Sequence, residues 1–239
     1  MPRHTITAFE DELNQLKSLV SRMGGLAESA LATAIDALIK RDNSVARRLV
    51  EEDVKIDELE REIEAQAIEL LARRQPVADD LREIVATLKI SSDLERIGDY
   101  AKNIGKRATV INQSPPLKPI SVIPEMSRIA RRMINEVLDA FIERDAAKAL
   151  AVWQRDEQID ELYNSLFREL LTYMMESPSA ITPCTHLLFV AKNIERVGDH
   201  ITNIAEIVHY VARGELIDAA RPKSDNTAFA VAGTPAKGA

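Results

Sequence analysis

One five-residue pattern, Glu-Arg-x-Gly-Asp, occurs twice in this chain, at residues 95–99 and again at 195–199. In both copies an asparagine follows four residues after the aspartate. Residues four apart lie on the same face of an α-helix. The doubled pattern therefore predicts two equivalent helices, each with a stripe of oxygen-bearing side chains. The six stripe residues are Glu95, Asp99, Asn103, Glu195, Asp199 and Asn203.

A second pair of acidic patterns repeats at an interval of 103 residues, Asp53/Asp57 and Asp156/Asp160. The interval shortens to 100 for the Glu-Arg-x-Gly-Asp copies, so the difference falls in the loops after Gln75 and Ser177. This arrangement predicts a tandem repeat of three helices, each about 30 residues or roughly 45 Å long. Short connections make neighbouring helices antiparallel, so we expect an all-α fold of two three-helix bundles with six long helices.

Breaks in the helical periodicity set the expected boundaries. In the first half we expect helices over about 9–39, from an Asp42 N-cap to about residue 74, and over 77–110. In the second half, one helix ends near residue 142, another runs from an Asp145 cap to residue 176, and Thr182-Pro183 begins the last, which ends near Gly214. The expected divisions are a first repeat at 1–112, a Pro-rich linker at 113–124, a second repeat at 125–214 and a disordered tail at 215–239.

Charge and composition narrow the class of protein. The net charge is -7 without a basic block, which argues against nucleic-acid binding. No apolar run approaches the roughly 20 residues of a membrane span, and the polar start does not resemble a signal peptide. Cys184 is the single cysteine and has no partner for an internal disulfide, so we expect a reducing, cytoplasmic setting.

The acidic stripes have two interpretations. In the plain one, they are the solvated faces of amphipathic helices, since they lie opposite the apolar face. Against it, like charges four residues apart destabilise a helix by about 0.2–0.5 kcal/mol, yet such pairs recur at equivalent places. Facing carboxylates suit hard cations such as Mg²⁺ or Mn²⁺. The helical phase places such a site in an open, water-filled groove rather than in the interior.

The two glycines of the repeated pattern, Gly98 and Gly198, each cost about 1 kcal/mol relative to alanine within a helix. Their recurrence at one position predicts a close helix crossing. The chain shows no phosphate-binding glycine loop and no recognised nucleophile pattern. We therefore do not expect an enzyme.

Several longer stretches resemble the PhoU family of bacterial regulators. These are residues 23–28 (Met-Gly-Gly-Leu-Ala-Glu), 74–76 (Arg-Gln-Pro), 80–82 (Asp-Leu-Arg), 93–99, 171–176 (Leu-Thr-Tyr-Met-Met-Glu) and 193–200. The resemblance covers about residues 8–213, in order and on both repeats, and leaves the tail outside.

The resemblance implies two similar three-helix bundles related by pseudo-twofold symmetry. It also implies multinuclear clusters of divalent or trivalent ions, Mg or Mn in the cell with Fe or Zn as further candidates. The family's paired E/D-x-x-x-D motifs match Glu95/Asp99 and Glu195/Asp199, with Asp53/Asp57 and Asp156/Asp160 as partners. Glu60 and Glu64 become Tyr163 and Phe167 in the second repeat, so we expect the two sites to differ.

The implied function is negative regulation of phosphate uptake and phosphate-starvation signalling, without catalysis. Family members are adaptors between the ATPase-bearing phosphate ABC transporter and a sensor histidine kinase. From this resemblance we expect a cytoplasmic homodimer that associates with the membrane only indirectly, through its partners. A metal store or carrier that uses the same carboxylates is the alternative, and a purely structural helical scaffold is a third.

Overall fold

The computed structural model describes residues 3–219 and residue 221, with side chains from residue 9 onward. All long regular elements in this part of the chain are α-helices, which confirms the all-α prediction. The first repeat contains α1 (Arg3–Ile39), α2 (Asn43–Glu52), α3 (Val54–Arg74) and α4 (Ala78–Ile111). The second contains α5 (Ile123–Glu143), α6 (Ala146–Trp153), α7 (Asp156–Glu176) and α8 (Ile181–Arg213).

The middle arm of each repeat is broken, where the periodicity predicted one continuous helix. In the first repeat α2 ends and α3 begins around Asp53, and in the second α6 and α7 flank Gln154 and Arg155. Neither break contains proline or glycine, which is why the sequence pattern does not reveal it. The breaks lie at equivalent places, so each repeat still has three arms and six long helices remain.

Most predicted boundaries match the helix ends. Asp42 accepts hydrogen bonds from the backbone of Ser44 and Val45, and Asp145 does the same for Ala147 and Lys148. These contacts satisfy backbone donors that a helix start leaves unpaired. The prediction for the last helix was wrong by a few residues. A 3₁₀ turn (Pro178–Ala180) runs directly into α8, so the helix is already formed before Thr182-Pro183.

The proline-rich connection is short and partly regular. A 3₁₀ helix occupies Lys118–Val122, and Pro119 within it is buried. Pro124 lies in the first turn of α5, where a missing backbone donor does no harm. The second repeat therefore begins almost directly after the 3₁₀ helix.

Contacts between the two repeats join equivalent helices, α4 with α8 and α1 with α5. That pairing is what a twofold relation between the repeats requires. At the α1–α5 crossing, a Cβ on Gly24 would overlap with Leu138 Cδ1, so the missing side chain permits the approach. One apolar core runs through both repeats. Among the described residues, no helix combines the length and apolar character needed to cross a bilayer.

The chain beyond α8 turns at Gly214, whose φ of +75° is the left-handed conformation that ends many helices. Ile217 then packs against the core, and His209 Nδ1 lies 3.1 Å from the carbonyl oxygen of Glu215. The predicted disorder from residue 215 did not anticipate these contacts. The remainder of the predicted tail, residue 220 and residues 222–239, lies outside the described residues.

Candidate functional site

The first repeat gathers five carboxylates along α3 and α4, which we call the first acidic cluster. Its members are Asp53, Asp57, Glu60, Glu95 and Asp99. Burial raises the pKa of Glu95 to about 7, and repulsion from Asp99 and Glu60 adds to the shift although Arg96 opposes it. Burial and the neighbouring charges of Glu64 and Asp57 raise the pKa of Glu60 as well. Asp57, Glu60, Glu95 and Asp99 therefore lie close enough for neighbouring members to repel one another.

Lys102 lies within the first acidic cluster. Its Nζ is 2.5 Å from Asp53 Oδ2 and 3.5 Å from Asp99 Oδ1, so it joins the break between α2 and α3 to the middle of α4. The hydrogen bond to Asp53 raises the pKa of Lys102, which stays protonated. Sequence reasoning missed this residue, although its position three residues after Asp99 on the same helix was a usable signal.

The second repeat gathers four carboxylates along α7 and α8, the second acidic cluster: Asp156, Asp160, Glu195 and Asp199. Asp156, Asp160 and Glu195 are 1%, 3% and 4% exposed, so the expected open groove is wrong for this repeat. The reason is that α8 packs against α4, α5, α6 and α7, which cover its polar side too.

At the buried end of the second acidic cluster, burial and neighbouring charges both raise the pKa of a carboxyl group. Burial raises the pKa of Asp156 to about 7; the charges of Asp160 and Asp199 add to the shift, while Arg221 opposes it. Burial also raises the pKa of Glu195, against the effect of Lys192 at 2.9 Å. Carboxylates held together away from water favour either protons or a bound cation.

The second acidic cluster contains carboxylate oxygens that lack hydrogen bonds. Both carboxylate oxygens of Asp156, and Oε2 of Glu195, are buried without a hydrogen-bond partner. The carboxylate groups of both clusters offer a metal ion only oxygen atoms, the ligands that Mg²⁺ and Mn²⁺ prefer. Among the residues described, however, no three His, Cys, Asp or Glu side chains converge as a ready metal site. The clusters thus supply the right donor atoms without an assembled coordination shell.

The repeated glycines hold the arms of each repeat close together. A Cβ on Gly198 would lie 2.5 Å from Asp156 Oδ1, and one on Gly98 would lie 2.7 Å from Ile56 Cδ1. The prediction of a close helix crossing is confirmed. In the second repeat the glycine directly admits the carboxylate of Asp156 against the backbone of α8.

The two stripe asparagines differ in their surroundings. Asn203 Nδ2 donates to Asp93 Oδ1 of the other repeat at 3.3 Å, and Asn203 Oδ1 accepts from Arg221 at 3.2 Å. Asp93 also contacts His200 Nδ1 at 2.7 Å, so it links α4 to α8. Asn103 is half-buried on α4. Asn203 therefore belongs to the contact between the two repeats as well as lying beside the second acidic cluster.

The clusters also differ where the sequence departs between repeats. Tyr163 and Phe167 replace Glu60 and Glu64, and their ring centroids lie 6.4 Å apart. Tyr163 is 5% exposed, and Lys192 Nζ lies 5.0 Å from its ring centroid. The second repeat consequently carries two aromatic rings where the first repeat carries two carboxylates.

The sequence model of the PhoU domain family matches this chain twice, at residues 20–108 and 123–208. Together the two matches cover most of the chain, one on each repeat. The chain belongs to the PhoU family. The PhoU match excludes the 3₁₀ connection and the segment after α8, where Arg221 lies.

Curated PhoU relatives align along nearly the whole length. A protein of Caulobacter vibrioides named "Phosphate-specific transport system accessory protein PhoU homolog" is 50% identical over 94% of this chain and 98% of its own. A Rhizobium meliloti protein of the same name is 48% identical over 94% of this chain and 95% of its own.

Solved PhoU structures share the fold. PhoU from Pseudomonas aeruginosa superposes with a TM-score of 0.82 at 40% identity, covering 87% of this chain and all of that one. The phosphate transport system regulatory protein PhoU from Streptococcus pneumoniae also gives a TM-score of 0.82, at 31% identity over 88% of this chain. These likenesses agree with two three-helix bundles.

Proposed function

We propose that this protein is a negative regulator of phosphate uptake and phosphate-starvation signalling. It acts in the cytoplasm, as a homodimer, as an adaptor between the ATPase subunit of the phosphate ABC transporter and a sensor histidine kinase. One observation supports the proposal above all. About half of the residues are identical, over nearly the full length of the chain, to those of proteins named as phosphate-specific transport system accessory proteins. The family is regulatory and accessory, so no catalytic role is assigned.

The acidic clusters are the proposed metal-binding part of this adaptor. Asp53, Asp57, Glu95 and Asp99 would hold cations in the first repeat, with Asn103 beside them. In the second repeat Asp156, Asp160, Glu195, Asp199 and Asn203 would do so. A bound Mg²⁺ or Mn²⁺, or Fe or Zn ions, supplies positive charge that offsets the repulsion between the carboxylates. The same charge would favour contact with acidic surfaces of partner proteins.

The metal store and the plain scaffold receive less support. A store needs carboxylates that are free to take up many ions, whereas Lys102 already contacts two carboxylates of the first acidic cluster. A scaffold with solvated acids should expose them, whereas Asp156 is 1% exposed and its oxygens lack hydrogen bonds. Both observations agree better with an adaptor that binds a few ions at defined positions and uses them to contact its partners.

The test measures partner binding with and without metal. Purified protein is stripped with chelator and reloaded with Mg²⁺, Mn²⁺, Zn²⁺ or Fe³⁺, and its affinity for the kinase and for the transporter ATPase is measured by calorimetry. We expect metal to tighten partner binding by about tenfold or more. Asp99→Asn/Asp199→Asn should abolish that gain.

A matched control removes the same charge elsewhere. Asp36 and Asp139 occupy equivalent, exposed positions in the two repeats, each with a side-chain exposure of 64%. Asp36→Asn/Asp139→Asn should therefore respond to metal like the unaltered protein. Equal partner affinity in stripped and reloaded protein would remove metal from the proposal, and absence of binding to either partner would refute the adaptor role.

A further inference from the structure

A guanidinium from beyond the last helix lies against the second acidic cluster. Arg221 Nη2 is 2.7 Å from the backbone oxygen of Asp199, 3.2 Å from Asp199 Oδ1 and 3.6 Å from Asp156 Oδ2. Its Nη1 donates to Asn203 Oδ1 at 3.2 Å. Three residues expected to bind metal are thus contacted by one side chain that is 24% exposed.

The carboxylate that Arg221 approaches is buried among other acidic groups. Asp156 is 1% exposed, and neither of its oxygens has a hydrogen-bond partner. Lys192, the other base at this cluster, lies at Glu195 instead, with Nζ 2.9 Å from Oε1. A buried carboxylate without bonds needs a nearby positive charge. Arg221 brings such a charge to 3.6 Å from Asp156 Oδ2.

The two repeats bring a positive charge to their equivalent aspartates, Asp53/Asp99 and Asp156/Asp199, in different ways. Lys102 on α4 bridges Asp53 and Asp99, but the residue at the same position of α8 is Thr202. Thr202 is fully buried, and its hydroxyl donates to the carbonyl oxygen of Gly198 at 2.9 Å. At the position equivalent to Lys102 the second repeat has an uncharged residue, and Arg221 from beyond α8 approaches Asp156 and Asp199.

Arg221 reaches the second acidic cluster because the chain doubles back along α8. Asn203 and Asp199 lie 10 and 14 residues before Arg213, the last residue of the helix. At about 1.5 Å per residue these positions are roughly 15 and 21 Å back from its end. Gly214 makes the reversal, and Ile217 packs against the core on the way. The contact is thus a long-range return of the chain rather than a local helix cap.

We propose that Arg221 is a tethered cation that occupies the second acidic cluster in the metal-free protein and competes with metal for it. The inference rests on the metal binding proposed above. A divalent ion bound by Asp156 and Asp199 would take the oxygens that face Arg221 and would repel the guanidinium at short range. Metal binding in the second repeat therefore releases Arg221 and loosens the segment after Gly214 from α8.

The test isolates the second acidic cluster by disabling the first with Glu95→Gln/Asp99→Asn. Mn²⁺ affinity is then measured by calorimetry on stripped protein, with and without Arg221→Ala. Because the competing charge is lost, we expect Mn²⁺ to bind about five- to tenfold more tightly in the Arg221→Ala protein. Arg213→Ala, an exposed arginine at the end of α8, removes the same charge away from the cluster and should leave the affinity unchanged.

Hydrogen exchange supplies a second readout that does not depend on affinity. In the otherwise unaltered protein, Mn²⁺ should speed amide exchange in residues 214–219, while the middle of α4 keeps its rate. Unchanged or weaker Mn²⁺ binding in Arg221→Ala, or slower exchange in 214–219 with metal, would overturn the inference alone. If no version of the protein binds Mn²⁺, the proposed metal function fails and this inference fails with it.

Discussion

Asp156 shows how one buried ionisable residue can make a protein's stability depend on pH. The carboxyl lies at the start of α7 against the backbone of α8, 1% exposed, with Asp160 and Asp199 nearby. Its pKa is raised from 3.8 to about 7, first by burial and then by those neighbouring charges. The folded protein therefore keeps a proton on this group at pH values where the unfolded chain has lost it.

The sign of the pH dependence follows from that difference. Between about pH 4 and pH 7 Asp156 binds more protons in the folded state than in the unfolded state, so its contribution to the free energy of unfolding falls as pH rises. For Asp156 the loss is on the order of 3 kcal/mol across this window. Asp156→Asn, which cannot ionise, should gain stability relative to the unaltered protein as pH rises from 5 to 8. Urea unfolding in chelator at both pH values measures the difference, and an equal effect at pH 5 and pH 8 would contradict the prediction.

Helix crossings in this fold depend on glycines that lie within helices rather than at their ends. Gly198 on α8 faces Asp156 of α7, whereas Gly25 on α1 is exposed and has no atom within 4 Å of the place a Cβ would occupy. Both glycines carry the same intrinsic penalty for lying in a helix. They differ only in what the neighbouring helix places beside them, so one substitution serves as the control for the other.

We therefore expect opposite effects from the same change at the two positions. Gly198→Ala places a Cβ 2.5 Å from Asp156 Oδ1 and should destabilise the protein by about 1–3 kcal/mol because α7 must move. Gly25→Ala meets nothing and should stabilise by about 0.5–1 kcal/mol. Urea denaturation of both variants checks this. A stabilising effect at Gly198 would mean that the two arms are not in close contact.

The two repeats are also tied together by a buried charge. Glu83 on α4 is fully buried and forms ion pairs with Lys17 of α1 and with Arg144, at the corner between α5 and α6. Burial lowers the pKa of Lys17, and the charge of Arg144 adds to that effect. One carboxylate thus compensates two cations, one from each repeat. Removing it leaves Lys17 with 14% of its side chain exposed and without this partner.

Loss of the Glu83 ion pairs should lower the stability of the whole molecule. Glu83→Gln should lower the free energy of unfolding by about 3 kcal/mol, because breaking a buried pair leaves an uncompensated charge. Glu125→Gln, which breaks an exposed pair with Arg128 on α5, should change it far less, because water screens that pair. Urea unfolding of both variants distinguishes the two cases. Equal small effects would show that Glu83 is not needed to hold the repeats together.

The sequence by itself determined what depends on residues close together in the chain. Helical periodicity, the Asp42 and Asp145 caps and the Gly214 terminus are local, and the doubled patterns made the two-repeat plan visible. The family resemblance likewise needed only the residues and their order.

Only the tertiary structure decided which sides of the helices are covered. Asp156 and Glu195 lie on stripes that the periodicity treats as solvated, yet neighbouring helices bury them, and no local signal reports a neighbour distant in sequence. The breaks between α2 and α3 and between α6 and α7 contain no proline or glycine. Glu83 with its two cations, and Arg221 at Asp199, join residues far apart in the chain, because burial and charge compensation depend on how the helices pack.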